Sequence, residues 1–265
     1  MNSYTDSERR IMAAFIREDN LKHANELAEP VTVKNTIYTR VVKRFIDFIV
    51  SGIILILTLP INLVIAVVTF FDVGRPIFFM QQRVGYRGKL FNLVKFRNMT
   101  NERDSNGELL LPKDRVTKWG RFVRRTSLDE LLNFWSILKG DMSLIGPRPL
   151  LPKYQEMFTE RHKMRNFQRP GLECPYLIPK PATGNHWNDI LENDIWYVEN
   201  VSFITDVRML FALVKLVFNR KETKGRANAN RGAFMGYDEN GIALSSQNLP
   251  EQYINRLKEV TNNNQ

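Results

Sequence analysis

Residues 48–71 read FIVSGIILILTLPINLVIAVVTFF, 24 consecutive positions without a charged side chain. A helix of about 20 apolar residues crosses a hydrocarbon core, so the run is too long and too apolar for an ordinary core helix. It does not read as a cleaved leader, because it starts far from Met1 and no small-residue cleavage site follows a short apolar core. By length alone it is one transmembrane helix. Two features favour another path. Pro60 lies mid-run, where it removes a backbone donor and crowds the preceding turn, so a kink is expected at Leu59–Pro60. Lys34, Arg40, Lys43 and Arg44 precede the run, and Arg75, Arg83, Arg87 and Lys89 follow it. Positive residues mark the cytoplasmic side, and here both flanks carry the same number. A helix broken at Pro60 that dips in and returns to the same face satisfies both flanks. The carbonyls freed at the break would then need partners such as the Ser51 or Thr58 hydroxyls.

Outward from this run, charge is the unusual property of the chain. It has 265 residues, with 38 Lys+Arg against 28 Asp+Glu, a formal net charge of +10. Between Arg75 and Arg125 there are 13 basic and 4 acidic residues. That concentration calls for an anionic partner, and its place just after a membrane segment favours phosphorylated small molecules or lipid headgroups over nucleic acid. The single Cys174 excludes an internal disulfide. His23, His162 and His186 have no zinc-site spacing, so any metal must be held by oxygen ligands.

Pro76 to Met99 reads as a β-hairpin turning at Tyr86-Arg87-Gly88. Asn101 to Asp114 reads as an exposed loop, and a helix is expected from Lys118, where Trp119, Phe122 and Val123 recur at helical spacing. Ser127 followed three residues later by Glu130 is a capping-box pattern. Leu131, Leu132, Trp135 and Leu138 continue it as an apolar stripe, and Gly140 suits the stop. The Asp129–Glu130 pair therefore has a purely structural explanation. Its surroundings supply a chemical one. Arg124 and Arg125 precede it and Gly146-Pro147-Arg148-Pro149 follows in a rigid turn. A helix N-terminus with arginines nearby favours bound phosphate, and the same field would keep Asp129 ionised, as a nucleophile needs. A carboxylate at a phosphate site points to attack on phosphorus or to a divalent cation between the two. Phe203–Phe218, with the run MLFALVKLVF, is too short to span a bilayer. It is either a core helix or one lying in the interface, and Arg220, Lys221, Lys224, Arg226 and Arg231 behind it favour the interface. The stretch before Pro30 and residues Glu251–Val260 are expected to form helices outside the chemistry.

Taken together these blocks resemble the bacterial sugar transferase family, the monotopic phosphoglycosyl transferases that start capsule, exopolysaccharide, O-antigen and glycoprotein glycan assembly. The resemblance runs from about Val42 to Phe218. It is carried by Lys43-Arg44 with Asp47, QQRVGYRGKLFNLVKFRNM, TKWGRFVRRTSLDELLNFWSILKGDMSLIGPRPLLP, Arg169-Pro170-Gly171 and DIWYVENVSF. It implies an α/β monotopic membrane protein with four parts. These are an N-terminal extension (1–41), a proline-broken re-entrant membrane helix (42–73), a catalytic domain (74–220) and a C-terminal extension (221–265). The catalytic domain would contain the β-hairpin, be mainly helical and carry interfacial amphipathic helices. The resemblance further implies that Asp129 and Glu130 are the catalytic pair and that Asp129 attacks the β-phosphorus of a UDP-sugar, releasing UMP. Polyprenyl phosphate then accepts the sugar phosphate. Arg124, Arg148, Lys95 and Arg97 would bind phosphates, with Mg²⁺ near Asp129. The implied place is the cytoplasmic face of the inner membrane, with membrane lipid and downstream glycosyltransferases as partners and no nucleic acid. One departure stands out: after Arg169-Pro170-Gly171 the family continues with a stretch resembling T-G-x-x-Q-V, whereas this chain has Leu172-Glu173-Cys174-Pro175-Tyr176. The rival function is that of a degenerate member that binds lipid or partner glycosyltransferases without turnover.

Overall fold

The structure, a computed structural model, describes residues 4–177, 186–218 and 232–262. Helix α1 (Asp6–Leu27) is followed by a π-helical turn at Tyr38–Val42, α2 (Lys43–Val73), strands β1 (Phe78–Val84) and β2 (Leu90–Phe96), α3 (Pro112–Arg115) and α4 (Lys118–Arg125). A 3-10 turn at Leu128–Glu130 leads to α5 (Asn133–Lys139), β3 (Ser143–Ile145), α6 (Glu160–Lys163), β4 (Gly171–Glu173), α7 (His186–Asn200) and α8 (Phe203–Phe218). Strands β5 (Phe234–Tyr237) and β6 (Ala243–Ser245) and helix α9 (Glu251–Asn262) come last. The fold mixes helix and sheet, and among the described residues every sheet has two strands.

The apolar run lies in α2, which is long and apolar enough to cross a membrane. Its middle is bare: Ile56, Leu57, Leu63, Val64 and Val67 are all more than half exposed. At Leu59–Pro60 the chain does not leave the helix: helical structure continues through Pro60 from Lys43 to Val73, so a bend there is a kink within one helix and not a gap between two. A proline deletes one donor but leaves the turns on either side free to stay helical. Nor do the hydroxyls repair a break. Thr58 donates to the Ile54 carbonyl at 2.7 Å and Ser51 to that of Phe48 at 3.2 Å, within the ordinary ladder.

Both ends of α2 are bonded to the rest of the protein. At its start, Lys43 meets Asp206 of α8 at 2.5 Å and Arg44 donates to the Ile137 and Leu138 carbonyls at 2.6 Å each. Asp47 accepts from the Ser143 hydroxyl at 3.1 Å and the Leu144 N–H at 3.0 Å. At its end, Thr69 accepts from the Trp119 indole N–H at 3.1 Å and Asp72 from the Thr117 hydroxyl at 2.6 Å. Buried charged and polar residues on a helix this apolar are tolerated because each meets such a partner.

The hairpin forms as the alternation predicts, with Phe78 opposite Phe96 and Val84 opposite Leu90 around the Tyr86–Gly88 turn. Strands β3 and β4 pair in parallel. They bring the Gly146-Pro147-Arg148 loop against Arg169-Pro170-Gly171 so closely that a Cβ on Gly171 would lie 2.1 Å from the Gly146 nitrogen. Only glycine fits there. The two terminal extensions join each other. Met12 and Ile16 of α1 share a core with Met235, Leu244, Tyr253 and Leu257, and Asn20 donates to the Tyr237 carbonyl and to the Tyr253 hydroxyl at 2.9 Å each. Helix α8 presents Phe203, Ile204, Phe211 and Val214 outward, the apolar face an interfacial helix needs. The basic residues expected behind it, Arg220 to Arg231, lie outside the described residues, as do Ile178 to Lys180 of the departing stretch.

Candidate active site

Helix α4 starts where the Thr117 hydroxyl accepts from the Gly120 N–H at 2.8 Å, and it ends at Thr126. Ser127 then adopts φ +56°, ψ +22°, the left-handed region that a serine enters at a cost of about 1 kcal/mol or more. This reversal folds Leu128–Glu130 into a 3-10 turn with Asp129 buried and Glu130 half-buried. The expected capping box is therefore corrected: the Ser127 side chain makes no cap bond, and Glu130 reaches other partners. The expected helix directly after Ser127 is corrected too, since α5 begins only at Asn133 and a three-residue 3-10 turn has almost no macrodipole. The stop at Gly140 does form, at φ +97° with its N–H donating to the Ser136 and Ile137 carbonyls.

The local positive field comes from side chains. Glu130 Oε1 accepts from Lys95 Nζ at 3.0 Å and from Arg148 Nη2 at 2.6 Å, so β2, the 3-10 turn and the loop after β3 converge on one oxygen. Arg148 Nη1 donates to the Leu172 carbonyl at 3.1 Å and lies 3.8 Å from Glu173 Oε2. Beneath this loop is a buried ion pair, Arg165 with Asp194 of α7 at 2.6 Å, and Arg165 also donates to the Arg148 carbonyl at 2.8 Å. The loop's backbone is thus fixed while the Arg148 guanidinium remains 44% exposed toward any ligand.

The two carboxyls are driven apart. Burial pushes Asp129 above the ordinary aspartate range. Lys95 and Arg124 oppose that rise and the charge of Glu130 adds to it. Burial acts on Glu130 in the same direction, but Arg148 and Lys95 outweigh it and hold that carboxyl below its usual range. Asp129 is therefore less readily ionised than its surroundings in the sequence implied. The reason is desolvation inside the turn, unrelieved by a helix dipole. Neighbouring carboxyls tuned in opposite directions are a recurring feature of acid, base and nucleophile assignments.

Of the residues expected at the site, Asp129, Glu130, Lys95 and Arg148 come together, and Arg124 is near enough to act on Asp129. Arg97 is a correction. Its guanidinium is buried and spent on the Gly74 and Arg75 carbonyls, each at 3.1 Å, so it anchors the chain where α2 ends. Glu173 and the Arg165–Asp194 pair were not expected. No spacing in the sequence announces the pair, though Glu173 stands in the stretch that departs from the family pattern.

A magnesium ion would need Asp129 and substrate oxygens together. Among the described residues no group of three or more His, Cys, Asp or Glu side chains gathers into a metal cage. Magnesium is commonly held by one or two carboxylates plus phosphate oxygens, and Asp129, with no ion pair to another side chain among the described residues, fits that mode.

Comparison with known proteins identifies the family. The sequence model of the family described as bacterial sugar transferase matches residues 38–220. The chain is 41% identical over 177 residues to the uncharacterized sugar transferase EpsL of Bacillus subtilis, covering 67% of this chain and 87% of that one. It is 34% identical over 209 residues to the undecaprenyl-phosphate galactose phosphotransferase of Salmonella typhimurium (69% and 41% covered). Against the UDP-glucose:undecaprenyl-phosphate glucose-1-phosphate transferase of Klebsiella pneumoniae it is 36% identical over 183 residues (66% and 39% covered). It thus spans about two fifths of the latter two proteins. The chain belongs to the bacterial sugar transferase family.

Proposed function

We propose that this chain is a phosphoglycosyl transferase that moves a sugar phosphate from a UDP-sugar to a polyprenyl phosphate through a covalent intermediate on Asp129. An Asp129 carboxylate oxygen attacks the β-phosphorus. The bond from that phosphorus to the bridging oxygen breaks, and UMP leaves with the electron pair. An oxygen of the polyprenyl phosphate then attacks the same phosphorus, giving the lipid diphosphate sugar and returning the Asp129 carboxylate. Two relatives are named for undecaprenyl-phosphate sugar transfer, which supports undecaprenyl phosphate as the acceptor and a UDP-hexose as the donor.

The observation that carries this reading is the division of labour within the pair. Glu130 occupies Lys95 and Arg148, and Asp129 stays buried beside them without an ion pair among the described residues. A carboxylate that served only to balance charge would take one of those cations. Arg124, Arg148 and Lys95 would bind the diphosphate, guanidinium groups being suited to forked contact with phosphate oxygens. Magnesium, when bound by Asp129 and the donor, would neutralise charge on the diphosphate.

In this reading α2 is re-entrant and both its ends lie at the cytoplasmic face of the inner membrane. A straight 31-residue helix would reach about 46 Å and carry Asp72 away from Lys43. Both ends are bonded to residues between Thr117 and Asp206, the start to α5, β3 and α8 and the end to α4, and this, with the equally basic flanks, supports the single-sided path. The product would be the first lipid-linked sugar of a surface polysaccharide or glycan, extended by downstream glycosyltransferases. The test is a panel of UDP-sugars presented to the purified chain with polyprenyl phosphate, reading UMP and lipid-linked sugar. One donor should yield both in equal amount. Silence across the panel, with the chain still bound to membranes, would favour the non-catalytic lipid- or partner-binding role.

A further inference from the structure

Away from Asp129, at the other end of α5, a cavity of about 410 Å³ opens beside the start of α2. Its wall includes Lys34, Arg40, Lys43, Asp47, Arg87 and Arg169. Lys43 is neutralised by its pair with Asp206, and Asp47, held by the Ser143 hydroxyl and the Leu144 N–H, is the one carboxyl among these six residues. The other four have no carboxylate partner among the described residues. Arg40 donates to the neutral Asn35 side chain at 2.5 Å, and Arg169 to the Gly140 carbonyl at 3.2 Å. Arg87 and Arg169 each lie 5.3 Å from the centre of the Tyr86 ring, which holds both guanidinium groups in place. Four like charges held around one cavity repel each other unless an anion enters.

The segment that supplies Arg40 and Lys43 to the cavity also carries bare apolar side chains. Ile37, Val41 and Phe45, four residues apart from just before the π-helical turn into the first turn of α2, are 78%, 63% and 66% exposed. The Tyr38 ring packs edge-on against Phe203, bringing the bare face of α8 alongside. A cationic cavity and exposed apolar residues on one segment at the entry of a membrane helix match a ligand with a phosphate head and hydrocarbon tails. Resting on the proposed membrane insertion of α2, we infer that this cavity binds the phosphate of a membrane lipid, at a second site separate from the catalytic pair. Asp129 and Gly140 flank α5, and its seven residues alone set them about 10 Å apart.

The test uses the full chain in phosphatidylcholine nanodiscs doped with head-labelled photoactivatable phosphatidylglycerol or, separately, polyprenyl phosphate. Cross-linked peptides are mapped by mass spectrometry. Either anionic probe should label peptides spanning Lys34 to Asp47 or Tyr86 to Lys89, and the probe that does so identifies the lipid. Each of Lys34→Gln, Arg40→Gln and Arg87→Gln should weaken labelling roughly fivefold, whereas Arg40→Lys should keep it. A phosphatidylcholine probe reactive in its acyl chain should label Ile53 to Val67 in every variant. Loss of that labelling would mean failed insertion and would overturn the proposed membrane path and this site together. With insertion intact, equal head labelling by phosphatidylcholine, or labelling unchanged in the glutamine variants, would overturn the lipid phosphate site alone.

Discussion

Arg148→Lys keeps the charge at the centre of the candidate site and removes its geometry. The guanidinium holds Glu130 at 2.6 Å and the Leu172 carbonyl at 3.1 Å, with Glu173 at 3.8 Å, by nitrogens pointing different ways. A lysine ammonium can keep the contact to Glu130 but cannot fork to Leu172 and a donor phosphate as well. The lost contact to the donor phosphate, a hydrogen bond to a charged group, is taken at roughly 2 kcal/mol. That is about a thirtyfold loss in kcat/KM. The loop itself should stay in place, because Arg165 grips the Arg148 carbonyl from the buried Asp194 pair. Thermal stability should therefore hardly change. The assay is UMP release over a range of donor concentrations, with a melting curve on the same preparation. A lysine variant within threefold of the original kcat/KM would refute forked phosphate recognition by Arg148, and an equally large fall in melting temperature would make the effect structural.

Other expectations follow from Asp129. Its carboxyl is raised by burial, so the attacking form should be lost on acidification at a pH above the ordinary aspartate value of about 3.9. The acid limb of kcat against pH, followed by UMP release, checks this. A limb at or below the ordinary value contradicts it. A raised folded-state pKa means that the native state favours the neutral carboxyl. The associated stability is complete below the unfolded pKa and is lost as pH rises through the folded one. Asp129→Asn should accordingly abolish turnover by orders of magnitude yet melt no lower than the original chain at neutral pH, and higher if that cost is large. A clear drop in melting temperature would mean that Asp129 is structural. For topology, single cysteines at Asn35 and Lys89 should both be shielded from a membrane-impermeant thiol reagent in intact cells. Labelling at one position only would establish a spanning helix.

The fold was legible where local pattern decides it: the charge-free run, the alternating hairpin, the glycine stop at Gly140 and the exposed apolar face of α8. It was illegible where distant groups compete. Ser-x-x-Glu at Ser127 predicts a cap because a backbone N–H is the nearest partner, but Glu130 finds two cations from β2 and the loop after β3, and charge-assisted bonds are stronger. Lys95 and Arg97 lie two apart on one strand and looked equivalent. Only the return of the chain at Gly74 and Arg75 separates them, leaving Lys95 beside Glu130 and Arg97 at the end of α2. The pairing of the extensions is likewise a long-range fact, resting on contacts such as Asn20 with Tyr237 that no periodicity encodes. Within the candidate site, the sequence named residues that the fold brings together, Lys95, Glu130 and Arg148, whereas the left-handed Ser127 and the buried state of Asp129 required the backbone path.

The central claim is a covalent phosphosugar on Asp129, and intact-protein mass spectrometry addresses it most directly. The chain is mixed with its UDP-sugar donor in the absence of polyprenyl phosphate, quenched, and weighed. An added sugar phosphate should appear, map to the peptide containing Ser127 to Lys139, disappear when polyprenyl phosphate is supplied, and be absent from Asp129→Asn. If no adduct forms while the same preparation makes lipid-linked product at full rate, the lipid phosphate attacks the donor directly and Asp129 is not the nucleophile.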